Sequence, residues 1–458
     1  MKMELDKDLF CVVGLGGSGR AAVRLLCSQG ARVRGYDARA PKDLGDAAQE
    51  LKKLGVELFT GELEATVFEG VSHVVLSPGV PPRAVRDLTE AAGAELLGEL
   101  ELSSRFLPGT FAAIAGTNGK STVTQLLGDM LERGARPVFV GGNLGTPLSE
   151  AVAGPASGSD GLLVVEVSSF QLETVRHFHA HVAVLLNITD DHLDRYDDFA
   201  DYAAAKGRVF AAQTADDFAL VPEGDAFLTQ LAAVGDAKVV HFGGEHSLVR
   251  IEGGVLLSMD GALRFPLSDL AVTGRHNAID ACAAASAALL LGAPVEDIAA
   301  ALREFRGLPH RMQLVCERRG VRYLDDSKAT NVGAAAAALD GFLGSAGKVV
   351  LIAGGRDKGG SYAPLVEPLS KVGRAIVCLG EAAAKMERAL GETDLPIRRT
   401  ASMAEAVRVA ASLAEPGDTV LLSPACSSYD MFVSYTHRGD AFAGAARALP
   451  DAAPGEGR

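Results

Sequence analysis

The sequence has no tryptophan, only 5% aromatic residues and no CxxC pair among its six cysteines. Scarce aromatics exclude a groove that stacks sugars or single-stranded bases, which needs flat rings in number. Unpaired cysteine spacing excludes a structural zinc and a disulfide framework. The thiols read as small buried hydrophobes in a reducing compartment. No apolar run reaches 18 residues, so no helix is expected to span a membrane. The first ten residues mix Lys2 and Lys7 with Glu4, Asp6 and Asp8, unlike the basic start of a signal peptide, and a cytoplasmic location is expected. Positive charge is also short: 44 basic against 58 acidic residues leave −14. A phosphate backbone needs a basic face, so nucleic acid is not an expected partner. A small anion held by a few local donors remains compatible with that charge.

What is plentiful is glycine, 52 residues in a chain of 458. Glycines close strand-to-helix turns, and at roughly 150 residues per domain the length predicts about three domains. Continuous apolar runs alternate with Ala/Leu-rich helical stretches almost throughout. One series covers residues 9–14, 32–36 and 74–77; a second covers 111–115, 162–167, 182–188 and 218–221; a third covers 321–325, 349–353, 375–379 and 419–423. Strands apolar on both faces belong to parallel sheets covered by helices. The fold class predicted is therefore α/β, with three successive domains. The first is Rossmann-like (residues 1–107), the second a P-loop ATPase-type unit (108–309), and the third Rossmann-like again (310–458). Residues 247–265 carry hairpin turns at Gly253-Gly254 and Asp260-Gly261, and the tail from residue 450 reads as unstructured.

Four constellations carry chemistry. Gly14-Leu15-Gly16-Gly17-Ser18-Gly19 follows the first strand and opens a helix. Its glycines permit a tight turn, close approach of backbone N–H groups to a pyrophosphate, and close helix packing. Asp37 ends the next strand, where a carboxylate can accept from a ribose or base. Against this nucleotide site stands a plain glycine turn in a structural unit. The second constellation is Gly116-Thr117-Asn118-Gly119-Lys120-Ser121-Thr122, a shortened P-loop whose N–H groups would cradle phosphates. Lys120 reaches the β- and γ-phosphates, and the Ser121 hydroxyl suits Mg²⁺. Two phosphate-cradling loops in one chain favour an ATP-driven ligase over a hydride-transfer enzyme, which has no use for the second.

The third is a set of polar strand ends. Glu166 closes an apolar strand at the edge where α/β ligands bind, and its oxygens suit a hard cation. His192 lies in the acidic run Thr189-Asp190-Asp191-His192, and Lys206 in a helical Tyr202-Ala-Ala-Ala-Lys206. Taken alone these two read as an exposed loop histidine and a solvated helix lysine. The fourth is Asp325-Asp326-Ser327-Lys328-Ala329-Thr330-Asn331, with further polar loops around Lys358 and Ser428. Each follows a strand, so together they suit a carboxylate-bearing substrate at one sheet edge. The plain alternative for each is a helix cap.

In order, GLGGSG, SPGV (77–80), GTNGKST, GGNLG (141–145), EVSSFQLE, NITDDHLDRY, GRHN (274–277), GLPHR, DDSKATN and LSPACSSYDMF resemble the Mur ligases of peptidoglycan synthesis, from residue 14 to about 440. The last motifs resemble its D-glutamate-adding branch. That resemblance implies an ATP-dependent ligase joining D-glutamate to UDP-N-acetylmuramoyl-L-alanine through an acyl phosphate, giving ADP and phosphate. It implies two Mg²⁺ ions, with ATP as co-substrate and a monomeric chain whose partners are small molecules. Gly14 to Gly19, Asp37, Ser77 and Asn143 would then hold the UDP-sugar substrate. Gly116 to Thr122, Asn277, Arg311 and Asp326 would hold ATP. Lys328, Thr330, Lys358, Ser428 and Tyr435 would grip D-glutamate. Ser121 and Glu166 would bind one Mg²⁺, and His192 with Lys206 as a carbamate the second; Lys120, Glu166, His192 and Lys206 would form the catalytic group. Where the family commonly reads HNxxN, this chain has Asp280 in the last place, and an acid cannot donate as an amide does. Other readings are a folylpolyglutamate synthetase, a nicotinamide-dependent oxidoreductase built on GLGGSG, and a nucleotide switch without catalysis.

Overall fold

The computed structural model describes residues 3–143, 145–192, 195–272 and 274–450. Leu144, Leu193, Asp194 and the tail read above as unstructured, from residue 451, lie outside the described residues. The chain forms two compact units. One consists of the chain up to Ile188 with Ala200–Leu270 and Ala278–Phe305. The other consists of Thr189–Phe199, Ala271–Asn277 and the chain from Arg306.

The first unit holds three sheets. Strands β1 (Leu9–Val13), β2 (Arg32–Asp37), β3 (Glu57–Thr60), β4 (His73–Leu76) and β5 (Glu95–Gly98) form a parallel sheet in the order β3-β2-β1-β4-β5. β1 is central because Phe10, Cys11, Val12 and Val13 are apolar on both faces, and all four are buried. The chain leaves β1 one way to β2 and returns on its other side to β4, which opens a crevice at their carboxyl ends. Helix Gly17–Ser28 covers one face, with Ala22, Val23 and Leu26 wholly buried. Enclosing a side chain such as Val23 or Leu26 contributes about 2 kcal/mol.

Strands β6 (Thr110–Ala115), β7 (Val138–Gly142), β8 (Leu162–Glu166), β9 (Val182–Leu185), β10 (Phe218–Pro222) and β11 (Lys238–Phe242) make a second parallel sheet, ordered β11-β10-β9-β6-β8-β7. Its switch point lies at β6, so the loops after β6, β8 and β9 share one edge. The hairpin expected at 247–265 is a three-stranded antiparallel sheet of β12 (Val249–Glu252), β13 (Val255–Ser258) and β14 (Arg264–Pro266).

The second unit holds β15 (Gln313–Arg318), β16 (Val321–Asp325), β17 (Val349–Gly354), β18 (Gly373–Leu379), β19 (Ile397–Thr400) and β20 (Thr419–Leu422), ordered β15-β16-β20-β17-β18-β19. β15 runs antiparallel to β16; the other pairs are parallel. All six cysteines are free thiols, four of them buried. No described helix is long and apolar enough to cross a membrane.

Candidate functional site

In the first unit, the GLGGSG loop leaves β1 at the switch point. Gly14 adopts φ +86°, and a Cβ there would press on Val80 and Ser77 of the loop after β4. A Cβ on Gly19 would strike the Gly14 carbonyl, so both glycines are required by the protein itself. Gly16 is different: its backbone is extended and a Cβ would meet no atom within 4 Å. Asp37 accepts the Leu15 N–H at 2.8 Å and a two-pronged ion pair from Arg39 at 2.8 and 2.9 Å. Burial opposes its charge, but these donors outweigh it and hold Asp37 down at about 2. Asp37 thus shapes the loop, and Arg39 carries a guanidinium to its rim.

The second sheet gathers the P-loop. The helix begins at Lys120, after Gly119 in a left-handed conformation (φ +84°). A Cβ on Gly119 would lie 2.5 Å from the Asp280 carboxylate and 3.0 Å from Leu186. Asn187, which closes the segment after β9, clamps the loop by a reciprocal pair. Its Oδ1 accepts the Asn118 N–H at 2.8 Å, and its amide donates to the Asn118 carbonyl at 3.1 Å. Its own carbonyl accepts the Thr117 N–H at 2.9 Å. The Lys120 ammonium folds back on the Thr117 carbonyl at 2.8 Å. Behind it, Lys206 is 2% exposed, donates to the Gly116 carbonyl at 2.8 Å and lies 4.8 Å from the Tyr202 ring centre. Lys206 is therefore no solvated helix lysine, because the helix turns it onto the P-loop. Thr122 Oγ1 is buried with no partner among the described residues, a donor available to an anion.

Glu166, 1% exposed at the end of β8, accepts from Ser121 Oγ at 2.7 Å on one oxygen and from Asn143 Nδ2 at 2.7 Å on the other. Its carbonyl accepts the Asn143 N–H at 2.8 Å. The structure thus joins Ser121, Glu166 and Asn143 in one cluster of oxygen-rich groups. Among the described residues no three His, Cys, Asp or Glu side chains converge as a metal cage.

In the second unit, His192 has φ +57° and donates its N–H to Asp191 at 2.9 Å. Asp191 also pairs with Lys358 at 2.9 Å and accepts from Asn331 at 3.3 Å, in a cleft shared with Asp190, Asp357 and Tyr362. Lys328 lies 4.1 Å above the Tyr435 ring. Thr330 donates its N–H to the Lys328 carbonyl, and buried Ser428 accepts two N–H groups of its own loop. Lys358 thus sits with Asp191 while Lys328 sits with Tyr435. Burial pushes Asp326 up to about 7 against the pull of Arg311 and the hydrogen bond from Ser423. Arg311 keeps Nε buried without a partner among the described residues, and burial with the Arg311 charge lowers nearby His276. Asn277 is 8% exposed at the start of helix Arg275–Leu290.

Three domain models match the chain: a Mur ligase MurD-like N-terminal domain over residues 8–98, a Mur ligase middle domain over 114–288 and a Mur ligase glutamate ligase domain over 310–426. A UDP-N-acetylmuramoylalanine--D-glutamate ligase of Trichlorobacter lovleyi is 42% identical, covering 98% of this chain and all of its own. That of Anaeromyxobacter dehalogenans is 44% identical over 96% of this chain and 97% of its own. The chain belongs to the Mur ligase family. Solved Mur ligases share its fold at low identity. MurF of Thermotoga maritima in complex with ADP aligns over 97% of this chain and 98% of its own, with a TM-score of 0.59 and 16% identity. A pseudomurein peptide ligase of Methanothermus fervidus gives 0.59 at 19% identity over 91% of this chain and 96% of its own.

This Mur ligase contains further site-forming residues that motif reading passed over. Arg438, 1% exposed, donates to the Ser327 hydroxyl and carbonyl and to the Cys426 carbonyl at 2.8–3.0 Å. It ties the loops after β16 and β20 to the helix that carries Tyr435, and burial lowers its guanidinium to about 10. His310 pairs with buried Asp325 at 2.7 Å. Their sequence signals were an arginine one helical turn after Tyr435 and the histidine inside GLPHR.

Proposed function

We infer that the protein is an ATP-dependent ligase that joins D-glutamate to UDP-N-acetylmuramoyl-L-alanine, giving ADP and phosphate, in the synthesis of peptidoglycan precursors in the cytoplasm. The observation that carries this reading is 42–44% identity to ligases of that name over nearly the whole chain. The three-domain division at 1–107, 108–309 and 310–458, which the separate sheets support, belongs to the same reading, as does a monomeric state.

A carboxylate is a poor electrophile because oxide is a poor leaving group. Transfer of the γ-phosphoryl group to the alanine carboxylate makes an acyl phosphate. The amine of D-glutamate then attacks, forming the C–N bond, losing a proton and expelling phosphate. In this assignment the backbone of Gly116 to Gly119 with Lys120, Ser121 and Thr122 cradles the phosphates. Asn277, Arg311 and Asp326 contact the nucleotide, and the buried orphan Nε of Arg311 suits an anion. Gly16, whose missing side chain no packing explains, leaves room for the pyrophosphate of the UDP-sugar beside Leu15, Gly17, Ser18, Asp37 and Ser77. Asn143 meets the acyl end, and Lys328, Thr330, Lys358, Ser428 and Tyr435 hold D-glutamate.

The residues present fit magnesium. Ser121 Oγ and Glu166 Oε2 lie 2.7 Å apart, two oxygen donors beside a phosphate loop, and Mg²⁺ commonly takes one carboxylate plus phosphates and water. Bound there it would neutralise the charge between nucleotide and carboxylate. His192 and Lys206, the latter carbamylated by CO₂ with loss of a proton, are assigned to the second ion.

The test is phosphate release from ATP with UDP-N-acetylmuramoyl-L-alanine and each enantiomer of glutamate. Release with D-glutamate alone is expected; release with L-glutamate alone would falsify the assignment. Lys206→Ala is expected to lose activity and regain part with short carboxylates, and full activity without them would remove the carbamate.

A further inference from the structure

The UDP-muramoyl substrate in the reading above is long. Its diphosphate belongs at the Gly14 to Gly19 loop of the first sheet, and its acyl end at Asn143 beside the second. Something must fix the distance between those two places.

Glu99 begins the short helix Glu99–Ser104 after β5, in the first sheet's layer, and is 1% exposed. One oxygen of its carboxyl accepts the Ser149 N–H at 2.7 Å and the Ser149 hydroxyl at 2.6 Å. The Ser149 hydroxyl also meets Ser103 Oγ at 2.9 Å. Ser149 lies in the 3₁₀ segment Leu148–Ala153, which ends the loop that carries Asn143. The front of that loop is pinned to the second sheet, by the Asn143 N–H on the Glu166 carbonyl and the Gly142 N–H on Thr146, each at 2.8 Å. Its rear is pinned to the first sheet by Glu99. Arg24, on the helix that opens from the glycine loop, reaches the neighbouring Glu150 at 2.5 Å. The 3₁₀ segment is therefore where the frame of the glycine loop and the frame of Asn143 meet.

The other Glu99 oxygen is buried with no partner among the described residues. A bare carboxylate oxygen away from water favours the protonated acid, and burial raises Glu99 accordingly. A neutral acid whose one engaged oxygen accepts from Ser149 and, at 3.3 Å, from the Ser103 hydroxyl can be replaced by an amide.

We propose that Glu99 is a positioning residue that sets the Asn143 loop against the glycine loop, and so determines how well the full-length UDP-muramoyl substrate is held at both ends. The inference rests on the proposed ligase reading.

The experiment compares wild type, Glu99→Ala and Glu99→Gln in three measurements: KM for UDP-N-acetylmuramoyl-L-alanine, KM for ATP, and Kd for UDP, which touches the glycine loop alone. For Glu99→Ala the substrate KM is expected to rise about tenfold, with the UDP Kd and ATP KM within about twofold of wild type. Glu99→Gln is expected to restore the substrate KM. An unchanged substrate KM in Glu99→Ala overturns the proposal, as does a parallel loss of UDP and substrate affinity, which marks a general packing defect. If Glu99→Ala does not fold, Ser149→Ala removes the hydroxyl partner and is read in the same way, with the same outcomes for and against. Wild-type protein inactive with this substrate sinks the ligase reading itself, a result distinct from an active enzyme indifferent to Glu99.

Discussion

At the scale of single residues, an amide distant along the chain holds the phosphate loop in shape. Asn187 makes two hydrogen bonds to the Asn118 backbone through its side chain. Asn187→Ala removes both, a loss of about 1–3 kcal/mol. The KM for ATP is expected to rise about tenfold or more, and an unchanged ATP KM in steady-state kinetics refutes the clamp. Asp326 makes a second residue-level prediction. Its carboxyl is pushed to about 7 by burial, so it is largely protonated in mild acid. A ¹³C-carboxyl titration, assigned by its loss in Asp326→Asn, is expected to show a midpoint near 7; a midpoint near 4 contradicts the burial argument. Glu166 was legible because a polar side chain at the end of an apolar strand is conspicuous, and Lys120 and Ser121 because they follow a glycine loop that opens a helix. Arg438 was not, and neither were the roles of Asn187 and Asp325, which were named only as members of motifs. Their partners are other residues' backbone and side chains, and spacing along the chain does not show which loops share an edge.

At the scale of elements, the P-loop depends on one backbone conformation. Gly119→Ala would place a methyl group in a left-handed residue and against the Asp280 carboxylate and Leu186. ATP binding, measured by calorimetry, is expected to fall below detection while the circular dichroism spectrum stays that of wild type. Retained binding would mean that the loop can shift to accept the methyl. The strands show where legibility stops. The apolar runs pointed to β1, β2, β4, β6, β8, β9, β10, β16, β17, β18 and β20, all of them interior. The strands they did not reveal in the parallel sheets are β3, β5, β7, β11, β15 and β19, and each is an edge of its sheet. An interior strand is covered on both faces and flanked on both sides, so its sequence is mostly apolar. An edge strand meets water, and Ile397-Arg-Arg-Thr400 or Gln313-Leu-Val-Cys-Glu-Arg318 therefore reads as ordinary surface. The Asn143 loop is the functional counterpart, since it follows the edge strand β7.

At the scale of the molecule, three sheets each depend on an aspartate held below its usual range. Asp37 sits at about 2 by Arg39 and Leu15, against the cost of burial. Asp217, also at about 2, gathers Thr214, His179 and His181 before β10. Asp418 is lowered by Arg374 and backbone donors before β20. Each carboxylate binds protons more weakly folded than unfolded. For Asp37 and Asp217 the stabilisation is therefore complete above about pH 5 and is lost as pH falls through about 2. For Asp217, whose side chain is 3% exposed, a fall from 3.8 to about 2 corresponds to about 2 kcal/mol. In urea unfolding, wild type is expected to exceed Asp217→Asn in stability above pH 4, with the gap closing toward pH 2. A gap that is constant with pH would show that the ion pairs are immaterial.

The six thiols carry a practical consequence. Burial pushes Cys11, Cys282 and Cys378 up to about 12 and Cys426 to about 11, and it raises Cys27 and Cys316 as well. The thiolate is the form that attacks electrophiles, and at neutral pH these residues hold their protons. The four buried thiols are therefore poor targets for acrylamides, chloroacetamides and air oxidation, and any thiol labelling falls first on the partly exposed Cys27 and Cys316.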